Sequence, residues 1–120
     1  WPIASYGKKY FTNNFYNSDH YSLGFEEPIY SYVPSIGISE IIEIPNKFYK
    51  NYKNNFLNSS LNGKHLHRIK FDQDFDKVIF DEKIFIGSRI RDLKYDGLTN
   101  SILLALENDG EIGVLKILKD

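Results

Sequence analysis

Residues 65–97 read HLHRIKFDQDFDKVIFDEKIFIGSRIRDLKYDG. Three β-rich runs stand in this stretch, His65 to Phe71, Val78 to Ile86 and Ile90 to Tyr95. Ile, Val, Phe and Tyr, the side chains that suit a pleated, half-buried surface, recur in them. Between the runs lie Asp72 to Asp76 and Gly87-Ser88, and Asp96-Gly97 follows the third. Each separator supplies turn chemistry or tolerates a positive φ. Short runs joined by short turns predict antiparallel hairpins in a meander.

The same grammar extends in both directions. Ile38 to Ile44 and Phe56 to Ser60 come before, and Ile102 to Leu106 and Ile112 to Ile117 come after. Pro45-Asn46, Asn62-Gly63 and Asn108-Asp109-Gly110 separate them. Strands spaced roughly 8 to 12 residues apart point to a sandwich, barrel or propeller rather than a βαβ fold, so the expected class is all-β. The one helical candidate, Asn46 to Tyr52, is long enough for a single turn. A propeller blade takes four strands, which sorts the runs into a full blade over 38–86 and a final, incomplete blade over 87–120. Closed propellers commonly complete such a blade with a strand from the other end of the chain.

Residues 1–37 form an aromatic loop region and the lead-in to the first blade. Tyr, Asn, Ser, Gly and Phe dominate the first 33 residues, with Gly7, Gly24 and Pro28 as punctuation. That many aromatics are expected to pack over the rim of a β-structure and line a surface. Trp1-Pro2 at the start, with no Met anywhere in 120 residues, suggests a chain that begins inside a longer polypeptide.

Composition narrows the function. Hydrophobic residues at 42% and charged residues at 26% describe a globular unit with its own core. Fifteen basic and 16 acidic residues leave a net charge of -1, which gives no electrostatic reason to expect a nucleic acid partner. The longest apolar run, Ile102 to Leu106, is far below the roughly 20 residues of a membrane-spanning helix. With no Cys, disulfides, thiolate catalysis and Cys-based zinc sites are excluded together. No phosphate loop, nucleophile elbow or paired-carboxylate signature supports a hydrolase or nucleotide-binding protein.

Some residues nevertheless carry chemistry. Arg89 and Arg91 stand two apart, so on a strand they share a face and make a clamp for an anion. The competing expectation pairs them with an acidic neighbour such as Asp92 or Glu82. Asp72, Asp74 and Asp76 imitate the start of a calcium loop, but Lys77 and Lys83 occupy the positions where an EF-hand needs Gly and Glu, which leaves a polar hairpin. His65 and His67 share a strand face without a third ligand nearby, so no metal site is expected. His20 lies in the aromatic loop, where it could face a substrate entrance. Asn58-Ser59-Ser60 has the form of a glycosylation sequon, which matters only in a eukaryotic secretory pathway.

Four segments, taken in order, resemble the C-terminal third of the soluble quinoprotein glucose/sorbosone (aldose sugar) dehydrogenases. They are Trp1-Pro2 with Ser5-Tyr6-Gly7; Pro28-Ile29-Tyr30 with Val33-Pro34-Ser35-Ile36; Ser60-Leu61 leading to Leu66-His67-Arg68-Ile69; and Arg89-Ile90-Arg91-Asp92. The resemblance implies a six-bladed β-propeller that carries pyrroloquinoline quinone (PQQ) and calcium and oxidises aldose sugars, in the periplasm or outside the cell. It makes Arg89, Arg91 and Trp1 cofactor-binding residues, the arginines on the quinone carboxylates and the indole against the flat ring. Asn62 stands where the family often has Lys; either Lys64, two residues on, replaces that charge, or Asn62-Gly63 is simply a tight hairpin turn. Calcium ligands and the catalytic base belong upstream of this region, so the chain is expected to be inactive alone. Its partners are then the remaining blades, or further copies of itself. Family members more often read Pro-Ser-Ile-Ala-Pro-Ser-Gly where this chain has Ile38 and Glu40, a mark of a divergent branch. The loss of the family Lys leaves a second function open, a non-enzymatic propeller that serves as a binding module.

Overall fold

Apolar residues at alternate positions, broken every few residues by Gly, Asn or Asp, fold into seven strands. They are β1 (Ile38–Glu43), β2 (Asn55–Ser60), β3 (His65–Phe71), β4 (Val78–Phe85), β5 (Ile90–Asp96), β6 (Ser101–Leu106) and β7 (Glu111–Leu115). The computed structural model describes residues 3–108 and 110–118. Two compact units emerge, 1–35 and 36–120, and each is described by itself.

The second unit holds all the strands. β1 to β4 form one antiparallel sheet in sequence order, and β5 to β7 form another. No α-helix occurs among the described residues; the stretch 46–52 contains only a 3₁₀ turn, Lys50–Tyr52. Leu57, Leu66, Ile42 and Ile84 lie on one face of the first sheet, because β1 to β4 pair them in register. That face packs on Ile90, Leu93, Ile102 and Leu104 of the second sheet, and Ile44 and Phe48 complete the cluster. Each buried side chain of this size contributes about 1.5–3 kcal/mol.

The same face carries a cation. The Arg68 guanidinium lies 4.4 Å from the Tyr52 ring centroid and 4.6 Å from that of Phe80. Its Nε donates to Glu82 Oε2 at 2.7 Å, and its Nη1 donates to Asn55 Oδ1 at 2.7 Å. Two aromatic faces and two charge-assisted hydrogen bonds offset the cost of enclosing the charge.

The two sheets are pinned at both ends. Ser39 sits where β1 bulges between Ile38 and Glu40. Its Oγ donates to Ile90 O at 2.5 Å and lies 2.7 Å from Ser59 Oγ. At the opposite end, Lys47 Nζ donates to Gly97 O at 2.9 Å and Asn100 Nδ2 donates to Lys47 O at 3.0 Å.

The first unit is mostly loop. Isolated bridges join Ala4 to Asn17 and Lys8 to Phe15, and a 3₁₀ turn, Tyr21–Leu23, ends at Gly24 with φ 79°. Glu27 holds this turn in place: its Oε1 accepts from the backbone N–H groups of His20 and Tyr21, and its Oε2 accepts from Tyr6 Oη. Tyr10, Phe11 and Tyr21 are almost wholly exposed, so these three do not make the packed aromatic layer that the composition suggests.

Candidate functional site

Three backbone segments converge at one end of the second unit. The turn after β2 runs from Leu61 to Lys64, and its Asn62 and Gly63 N–H groups donate to Ile36 O at 3.0 and 3.2 Å. Leu61 N–H donates to Gly37 O at 2.8 Å. The link between the sheets then closes on the same turn, with Ile86 and Gly87 N–H donating to Lys64 O at 3.1 and 3.0 Å. The turn bearing Asn62 and Lys64 is thereby fastened to the segment that leads directly into Arg89.

Asn62-Gly63 is a turn signal in the sequence, but the residue that turns through positive φ is Lys64, at 55°. Gly63 is needed for space. A Cβ there would lie 2.8 Å from Ser60 Oγ and would collide with the His65 ring. Gly63→Ala is expected to destabilise the fold by about 1–3 kcal/mol, as overpacking does. A lowered thermal midpoint by circular dichroism checks this, and an unchanged midpoint would contradict the steric account.

Arg89 directly precedes β5, and Arg91 lies where β5 bulges between Ile90 and Asp92. Simple strand alternation therefore does not hold the pair together; a carboxylate does. Arg89 Nε donates to Glu107 Oε2 at 2.7 Å, and Arg91 Nη2 donates to Glu107 Oε1 at 3.0 Å. Glu107 N–H also donates to Arg89 O at 2.8 Å. The acidic partner is thus Glu107 from the far side of the β5–β6 hairpin, not Asp92 or Glu82; Glu82 pairs with Arg68.

Nothing in the local sequence marks Glu107 as part of this cluster. Hydrogen bonds from Arg89, then from Arg91, hold its carboxyl below the usual glutamate range. The Arg89 and Arg91 side chains are 38% and 58% exposed, which leaves their other N–H groups open to a ligand. Each guanidinium has five N–H donors and gives one of them to Glu107, so both keep donors that an anion could use. Trp1 lies outside the described residues.

The other candidates have local roles. His67 Nδ1 is 2.7 Å from Asp81 Oδ1, and His65 Nδ1 bonds Gly63 O; both rings are buried. Burial lowers the His65 pKa. Among the described residues no group of three His, Cys, Asp or Glu side chains is arranged to hold a metal ion. His20 Nδ1 lies 3.0 Å from Ser18 O and 3.2 Å from Glu27 Oε2, within its own loop. Asp72 Oδ1 accepts from Asp76 N–H at 2.8 Å and Lys77 N–H at 3.3 Å, an arrangement that closes a polar hairpin. No described helix is long and apolar enough to cross a membrane.

Comparison with known proteins gives the family and the fold. Residues 1–116 match the model of the family described as Glucose / Sorbosone dehydrogenase. A crystal structure of glucose dehydrogenase superposes with a TM-score of 0.83 at 23% identity, covering 98% of this chain and 34% of its own. The soluble aldose sugar dehydrogenase of Escherichia coli, in its apo form, gives 0.74 at 17% identity, with 95% and 33% covered. A further glucose dehydrogenase gives 0.73 at 21% identity, with 100% and 33% covered. No curated protein matches the chain. The fold is therefore that of two consecutive blades of a propeller-type sugar dehydrogenase, and the chain spans about a third of the length of these structures.

Proposed function

Because this chain belongs to the glucose/sorbosone dehydrogenase family, we propose that it forms part of the cofactor wall of a PQQ-dependent aldose sugar dehydrogenase. The observation that carries the proposal is the pair Arg89 and Arg91, gathered on one carboxylate with their other donors exposed. Two guanidinium forks suit the carboxylates of pyrroloquinoline quinone, which each can meet with parallel hydrogen bonds. Lys64 supplies a further cation on the adjoining turn, and Asn62 offers an amide where the family more often has Lys. By the family resemblance Trp1 would offer its indole face to the flat ring, a large apolar contact at little entropic cost.

When bound, the quinone supplies the two-electron acceptor for oxidation of the sugar at its anomeric carbon. The residues of this chain bind and orient; the catalytic base and the calcium ligands come from the rest of the propeller. Loss of Arg89 or Arg91 therefore weakens cofactor binding more than it slows the chemical step. The protein works in the periplasm or outside the cell, and this segment needs the remaining blades for activity.

Reconstitution of the full-length protein with PQQ and calcium tests the proposal. Quinone uptake and aldose-dependent reduction of an artificial dye are expected. No uptake and no dye reduction would sink the enzyme reading in favour of a propeller that serves as a binding module.

A further inference from the structure

We infer that Glu107 is a positioning residue for the quinone site: it holds Arg89 and Arg91 side by side so that their remaining N–H groups meet the cofactor as one unit. The inference rests on the proposed function and adds to it a residue that touches no cofactor.

Two guanidinium groups repel each other, and two long side chains on a strand end explore many rotamers. Glu107 opposes both effects. One carboxylate oxygen takes Arg89 Nε and the other takes Arg91 Nη2, at 2.7 and 3.0 Å. Its own backbone is fixed by the 2.8 Å bond from its N–H to Arg89 O, so the carboxylate is anchored at the level of the arginines it serves. Arg89 is held through Nε, the inner nitrogen, so the end-on fork made by its two terminal nitrogens is not the edge that Glu107 uses.

Coulomb attraction alone predicts the opposite role. A negative charge beside an anion clamp weakens the clamp, so removing Glu107 would tighten the binding of an anionic quinone. Positioning predicts looser binding, and the sign of the change separates the two.

The experiment is a PQQ titration of the calcium-loaded full-length protein without sugar, read by quenching of tryptophan fluorescence. Wild type is compared with Glu107→Gln, Glu107→Ala, Glu107→Asp and Arg89→Ala/Arg91→Ala. Glu107→Gln keeps the size but can accept from only one arginine, so it is expected to weaken binding about tenfold, with Glu107→Ala at least as weak. Glu107→Asp, which keeps the charge and both acceptors, is expected to recover most of the affinity. The circular dichroism spectrum of Glu107→Gln is expected to match wild type, which separates lost positioning from lost fold. Glu107→Gln binding as tightly as wild type or tighter, while the double arginine variant fails to bind, overturns the role of Glu107 alone. Wild-type affinity in the double arginine variant overturns the cofactor-wall reading, and this inference with it.

Discussion

In the full-length protein, replacing both Arg89 and Arg91 with Ala is expected to lower PQQ affinity by at least about a hundredfold while moving the unfolding midpoint little. A hydrogen bond to a charged group contributes about 1.5–3 kcal/mol, so losing one from each guanidinium amounts to two decades or more in the dissociation constant. The stability cost is small because the ion pairs to Glu107 are solvent-accessible, and exposed pairs contribute little. The measurement is a quinone titration beside thermal unfolding of the same samples. Unchanged affinity would remove these arginines from the site, whatever the fate of the sugar chemistry.

The second large effect lies in the core. Leu66 is wholly buried on β3 and belongs to the cluster that joins the two sheets. Leu66→Ala is expected to cost about 2–5 kcal/mol, the lost transfer energy plus the cavity left between sheets that cannot collapse onto it. Phe85 supplies the control, since the residue is 76% exposed and Phe85→Ala should change stability by well under 1 kcal/mol. Chemical denaturation of both variants decides the matter; equal midpoints would mean that the inter-sheet cluster does not carry the fold.

Strand existence and order are legible in the sequence because turn residues and β-branched runs alternate so regularly from residue 38 onward. The strand ends are less so. Asn55 and Ser101 open β2 and β6 although neither favours strands, because each is buried at 1% exposure. Asn55 is satisfied there by Arg68, a pairing between strands that no local pattern announces. That the two arginines pair with an acidic side chain is legible as one of two expectations, but which carboxylate they share is not. Pairing β5 and β6 outward from the Asp96–Ser101 closure without interruption would set Arg89 opposite Asn108. The bulge between Ile90 and Asp92 shifts the register by one residue and brings Glu107 there instead. A bulge has no reliable signature in a single sequence. The roles proposed for Asn62, Lys64 and Trp1 come from resemblance, and the structure adds to them the backbone ties that seat Asn62 and Lys64 beside the approach to Arg89.

The hydroxyl of Ser39 at one end and the Lys47–Gly97 and Asn100–Lys47 bonds at the other have a kinetic meaning. Two plates tied along only one edge can swing apart and let a bulky ring slip between them. Tied at both edges around an apolar filling, they move as one body, and the seam is closed to traffic. The arginines stand outside this seam with their side chains partly exposed, so an ion exchanging there would need no parting of the sheets.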